Sequence, residues 1–305
     1  MSELILHHYA MSPFSEKVRA MLGYTGMRWQ SVIVAPMPPR PLLAPLAGGY
    51  RKIPVAQIGA DVFCDSRTIT REIARLSGKP ELALEGCSEE VREFVRRTDL
   101  EVFFACVIAA GGPKLLYRFW RQTSLMTVFR FLKDRIDLGR TAKVRTASPK
   151  KAPGVVREHL ADLEIRLEKR PFLFGDTPNI ADFSAYHSLW FIRDVAGSPL
   201  TAPYPRVNAW MDRIAAFGQG EMSSITPEQA LETAKAATPR PLPAGDDASL
   251  VGEAVTIAPS DYGLVPVSGT LVAALPDGWV LSRHTAQTGA VQVHFPREGF
   301  AVSAR

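Results

Sequence analysis

Long apolar runs are absent from this chain of 305 residues. No stretch approaches the roughly 20 residues that a helix needs to cross a bilayer. The first residues lack a basic segment followed by a long apolar core, so no secretory leader is expected. Cysteine is scarce. Cys64, Cys87 and Cys106 are odd in number and irregularly spaced. They argue against a disulfide framework and fit a reduced, cytoplasmic setting. No CxxC pair and no Cys/His spacing of the zinc-ligand type occurs, so no metal is expected. Strong charge is missing too. The formal net charge is +5, and no nucleic-acid-binding motif accompanies it. Basic residues gather between Arg130 and Lys151. They read either as a solvated helix face and loop or as a positive rim facing an anionic ligand.

What the chain does have is enough apolar material for a full core, 46%. It falls into three blocks. From 1 to about 80, the strand candidates LILHHY, WQSVIV, PVAQIG and DVFCDS alternate with helix candidates at 14–25 and 66–77. The order is β-α-β, a connection, then a β-hairpin and a helix. From 88 to about 220 the apolar spacing is helical throughout. Gly111-Gly112-Pro113 is expected to break this run. The segment YRFWRQTSLMTVFRFLKDR that follows is apolar and basic together. It reads as a core helix near a cleft, with a membrane-surface helix as the alternative. The join TPRPLPAGDD at 238–247 has the composition of a linker. After it come short apolar runs separated by turn signals, Pro276-Asp277-Gly278 and Gly289 among them. They predict a small β-barrel or sandwich. The expected division is 1–80, 88–235 and 248–305.

Two helix starts concentrate the chemistry. In AMSPFSEKVRAML, residues 10–22, a Ser12-Pro13-Phe14-Ser15 turn separates a strand from a helix. Proline is tolerated in a first turn. The N–H groups there favour negative charge, and a serine there can meet an anion or simply cap the helix. In RKIPVAQIGADVFCDSRTITREIARL, residues 51–76, Pro54 heads a strand and Asp65-Ser66 opens the next helix. Proline cannot donate to a ladder, so Pro54 belongs at an edge or a strand start. His7, His8 and Cys64 lie on strands and read as structural.

These residues, Tyr9 to Leu22, Ile53-Pro54-Val55 and Asp65 to Leu76, resemble the thioredoxin-like domain of the glutathione S-transferase superfamily. RPFLFGDTPNIADFSAYHSLWFI, residues 170–192, is similar to the capping box and buried helix of that family's all-helical domain, with Asn179 as cap and Asp182 three residues on. The family usually has Ser or Thr at that cap, and Asn caps equally well. The resemblance covers about residues 3–220. The all-β C-terminal block lies outside the family's standard architecture.

The resemblance implies a fold, a thioredoxin-like α/β domain followed by an all-α domain, and a function, glutathione transfer in a cytoplasmic homodimer without a metal. It implies that Ser12, or else Tyr9 or Ser15, activates the glutathione thiol. The implied glutathione contacts are Phe14, Lys52, Ile53, Pro54, Val55, Asp65 and Ser66. Val55 would offer its backbone, Asp65 and Ser66 would hold the γ-glutamyl end, and Lys52 or Arg51 would meet the glycyl carboxylate. An Ile53-Pro54 cis bond is expected. The second substrate would be a small hydrophobic electrophile packed between the domains against aromatics such as Phe103, Phe104, Phe119 and Trp120. With serines at both ends of Ser12-x-x-Ser15, disulfide relay through this turn is excluded. The alternative is a non-catalytic member that uses the fold, and its C-terminal strands, for binding or assembly.

Overall fold

The computed structural model describes residues 3–122, 125–144, 147–243 and 250–305. The N-terminal part runs β1 (Leu4–His8), α1 (Pro13–Thr25), β2 (Arg28–Ile33), α2 (Ala44–Ala47), β3 (Val55–Ile58), β4 (Asp61–Cys64) and α3 (Ser66–Ser77). β1 pairs with β2 in parallel and with β3 in antiparallel fashion, and β3 forms a hairpin with β4. Every residue of β1 is buried, as a strand covered on both faces requires. The helices stop where the chain can turn left-handed, at Gly26 after α1 and Gly78 after α3.

The helical part comprises α4 (Glu89–Arg97), α5 (Phe103–Ala110), α6 (Pro113–Gln122), α7 (Leu125–Thr141), α8 (Ala152–Arg166), α9 (Ile180–Trp190) and α10 (Pro205–Ala215). Gly111-Gly112 separates α5 from α6. At the start of α9 the Asn179 and Asp182 side chains form the reciprocal capping box. Asp182 also accepts the Leu173 backbone N–H and the Trp210 indole N–H, both at 2.9 Å. α6 and α7 depart from the expected core helix. Tyr117, Trp120, Met126, Phe129 and Ile136 stand exposed on them. Arg118 and Arg135 are tied to backbone carbonyls. Among the described residues, no helix is long and apolar enough to cross a membrane.

After α10 the chain returns to the sheet. β5 (Glu221–Ser224) extends it beside β2, and α11 (Pro227–Lys235) packs near β2, α2 and β9. The expected helical domain, 88–235, takes in both of these elements, although the helical spacing itself ends near 220. β6 (Ala254–Pro259), β7 (Val267–Leu275), β8 (Gly278–Thr285), β9 (Gly289–Pro296) and β10 (Phe300–Ala304) then form an antiparallel series. The five-stranded all-β block expected after the join is present, while the expected barrel or sandwich gives way to a sheet continuous with the N-terminal part. The strand order β10-β6-β7-β8-β9-β4-β3-β1-β2-β5 is that of one open ten-stranded sheet. β9 and β10 do not close on each other. β9 instead pairs in parallel with β4, Val62 opposite Val293, and covers an edge that would otherwise be free. Gly48 permits a close approach on this side. It has φ +65°, and a Cβ there would come within 2.4 Å of a Val267 methyl.

Two cores result. Leu4, Leu6, Ala56 and Phe63 pack with α1, α3 and the helical part. Val55, Val62 and Cys64 pack with Leu46, Val267, Leu281, Val293 and Phe295. Burial raises the Cys64 thiol well above its ordinary pKa. That suits a packing residue, not a nucleophile.

Candidate functional site

A cavity of about 360 Å³ lies where the sheet, the helical part and the C-terminal strands meet. One wall comes from the N-terminal part: Phe14, Lys52, Ile53, Pro54, Asp65 and Ser66. The Ile53-Pro54 bond is cis, which turns the chain at the start of β3. Val55 lies behind it, fully buried.

Asp65 caps α3. Its Oδ1 accepts the Arg67 backbone N–H at 3.1 Å, and its Oδ2 accepts the Tyr50 hydroxyl at 3.3 Å. Its φ of +79° is unusual for a residue with a side chain. Such a conformation costs on the order of 1–3 kcal/mol and persists when surrounding contacts over-determine it. The first N–H groups of α3 therefore open beside the cavity with a carboxylate next to them.

The floor is charged and buried. α4 passes into a π-helical turn, Thr98–Val102, that carries Asp99 to the cavity. Asp99 Oδ2 accepts Lys17 Nζ at 2.7 Å, and Oδ1 meets His187 Nε2 at 3.2 Å. Burial pushes the Asp99 carboxyl up, but Lys17 and His187 hold it well below the usual carboxylate range. Burial lowers the His187 pKa, partly opposed by Asp99. Phe14 packs over His187 and Phe103, with ring centres 4.6 and 4.7 Å away.

The opposite wall belongs to the C-terminal strands: Ser260, Asp261, Tyr262, Glu298, Gly299 and Phe300. No motif marked Ser260, Asp261 or Tyr262 in the sequence. Lys52, expected to be free for a ligand, pairs with Asp261. Arg51 pairs with Asp134 of α7. Tyr262 packs edge-on against Phe104. Its hydroxyl pKa is raised well above the ordinary value by burial and by Asp261 and Asp65.

Ser12 and Tyr9 do not line the cavity. Ser12 is buried and caps α1, its Oγ accepting the Ser15 N–H at 3.3 Å. Its own hydroxyl proton has no acceptor among the described residues. Ser15 Oγ is buried without a hydrogen-bond partner. Tyr9 is half-buried at the end of β1. Phe119, named as a possible cleft aromatic, has a side chain outside what the structure describes, and Trp120 is exposed on α6. Among the described residues, no cluster of His, Cys, Asp and Glu is arranged to hold a metal ion.

Two family models match the chain. The glutathione S-transferase N-terminal domain matches residues 6–81, and the glutathione S-transferase C-terminal domain matches residues 144–213. Among solved structures, a GST-like protein from Pseudomonas syringae is 35% identical over 100% of both chains, with a TM-score of 0.79. A glutathione S-transferase from Rhodospirillum rubrum F11 is 21% identical over 70% of this chain and 88% of its own, with a TM-score of 0.47. No curated protein matches.

Proposed function

The chain belongs to the glutathione S-transferase family, and from that premise we propose that it binds glutathione in the cavity and activates the thiol for attack on a hydrophobic electrophile. One observation carries the reading. Phe14, Lys52, Ile53, Pro54, Asp65 and Ser66, far apart in sequence, line a single cavity beside the start of α3. The α-carboxylate of the γ-glutamyl end meets the N–H groups and the Ser66 hydroxyl there. Its ammonium meets Asp65. Val55 offers its backbone to the cysteinyl amide.

The chemistry is on the bound thiol. Ser12 donates its free hydroxyl proton to the sulfur, which stabilises the thiolate and raises its fraction at neutral pH. The S–H proton leaves to solvent. The sulfur lone pair forms a C–S bond with the electrophile, whose leaving group departs with its bonding pair. Tyr9 is the alternative donor. The reading includes a cytoplasmic homodimer.

Retention on immobilised glutathione, with elution by free glutathione, tests it. Asp65→Asn tolerates the left-handed backbone but removes the charge, so it should elute earlier. Wild-type chain that passes through the column unretarded sinks the reading. A second reading, a binding or assembly protein without turnover, is favoured by a specific observation: the C-terminal strands occupy Lys52, and neither Ser12 nor Tyr9 lines the cavity. Retention without conjugation of any tested electrophile would support it.

A further inference from the structure

Lys52 has a partner other than the ligand carboxylate assigned to it above. Its Nζ donates to both carboxylate oxygens of Asp261, at 2.8 and 2.9 Å. It also stands 4.0 Å from the centre of the Tyr262 ring. The pair is largely shielded, with side-chain exposures of 11% for Lys52 and 24% for Asp261.

Asp261 is itself held in place. Its Oδ1 accepts the Tyr262 backbone N–H at 2.6 Å, and its carbonyl accepts the Lys143 backbone N–H at 2.7 Å. This is a fixed wall, not a swinging arm. On the same wall, Glu298 takes Arg67 at 3.0 Å and Arg96 at 3.3 Å. Three of the four cations that line the cavity, Lys52, Arg67 and Arg96, thus already have anions. A further carboxylate brought to Lys52 would sit beside that of Asp261, and like charges at short range in a shielded site repel strongly.

We propose that Asp261 determines specificity: the cavity takes a γ-glutamyl thiol whose end at Lys52 is uncharged, glutathione masked at its glycyl carboxyl as an ester or amide, in preference to glutathione itself. This rests on the glutathione reading of the cavity. A masked carboxyl keeps a carbonyl oxygen that can accept the remaining Lys52 N–H. It brings no second negative charge to Asp261.

Calorimetry on the full chain tests this with two probes, glutathione and its glycyl monoethyl ester. Wild type should bind the ester about tenfold more tightly, the scale of one hydrogen bond to a charged group. Asp261→Asn keeps the shape and drops the charge. It should tighten glutathione about tenfold and leave the ester nearly unchanged. Wild type that binds glutathione as tightly as the ester, or more tightly, overturns the inference and leaves the glutathione reading standing. Binding of neither probe by wild type or variant overturns both. The wild-type comparison decides the matter even where the variant fails to fold.

Discussion

The two faces of the β3–β4 hairpin are buried against different bodies. Ala56 and Phe63 face the core shared with the helices. Val55, Val62 and Cys64 alternate with them and face the core shared with the C-terminal strands. Period-two alternation is all that is needed to serve both. The helical face is organised by local devices such as the Asn179–Asp182 box. The other face depends on partners more than two hundred residues away, with Val62 beside Val293. The first core draws mainly on helices that lie before residue 215, the second on strands from the far end of the chain. The cavity lies between them and takes a wall from each.

Removing the distant partner should have the largest effect. A chain ending at residue 243 leaves the β4 edge unpaired and uncovers Val55, Val62 and Cys64. Each fully buried aliphatic side chain is worth about 1.5–3 kcal/mol, so the combined loss should exceed about 5 kcal/mol, comparable to a whole domain's stability. Loss of a cooperative melt by circular dichroism is expected. A truncated chain that melts at the full-length temperature would break the comparison. The C-terminal strands would then be the independent unit that the composition of the join suggests.

The helical face can be tested at one atom. Asp182→Ala leaves the N–H groups of Asn179 and Leu173 and the Trp210 indole without their acceptor, the last two at a buried site. Orphaned buried donors cost about 1–3 kcal/mol each. Partial relaxation should bring the total to about 3–5 kcal/mol in a denaturant titration, at the upper end for a single substitution. A loss below 1 kcal/mol would mean that the box is not what holds this face.

This difference also explains what could be read in advance. The order of strands and helices to residue 77, the short α2 apart, and the caps at Ser12, Asp65 and Asn179 lie within short windows of sequence, while Ile53, Pro54, Asp65 and Ser66 as a ligand wall are what the family resemblance implies. Hydrophobic period and capping chemistry act within such windows. The second wall does not. Asp261 and Glu298 look like ordinary loop charges until β9 docks on β4 and brings their loops to Lys52 and Arg67. The short β5, exposed along its length, has no apolar alternation to announce it. Its place comes from pairing with β2. α7 was misread because its apolar residues follow a helical period but face solvent.

Acid should loosen both cores, each by a smaller amount. Burial lowers the His7 pKa to about 4, on the side of Gln57 and α11. Burial, with Arg19 and His7 nearby, lowers His8 to about 3, on the side of α1. Both imidazoles are therefore neutral when folded, and an unfolded chain binds protons that the folded one does not. The stability they contribute is complete above pH 6.5 and is lost as pH falls from 6.5 towards 4. It amounts to on the order of 2–3 kcal/mol per histidine. Melting temperature against pH should fall over that window. His7→Gln should flatten part of the slope and His8→Gln another part, which assigns a share to each face. A wild-type profile flat from pH 7 to 4 would contradict this.

The smallest stability change should come at the Ser12 turn, outside both walls. Ser12→Ala removes the cap on Ser15 N–H, worth about 1 kcal/mol. Ser15→Ala removes a buried hydroxyl that has no partner, so it should cost nothing or stabilise slightly. The two roles proposed for Ser12 separate in glutathione-bound protein. As a cap alone, it lowers the melting temperature and leaves the thiol untouched. As the thiol's donor, its loss also raises the pKa of the bound thiol towards its free value. A hydrogen bond to a charged group is worth about 1.5–3 kcal/mol, so the conjugation rate at neutral pH should fall about ten- to a hundred-fold. Glutathione affinity should change little, because Val55, Asp65 and Ser66 are intact. Thiolate absorbance against pH, in wild type, Ser12→Ala and Tyr9→Phe, reads the difference. A titration unmoved in Ser12→Ala but shifted in Tyr9→Phe would make the serine a cap and the tyrosine the donor. The thiol would then be activated from the end of β1, not from the first turn of α1.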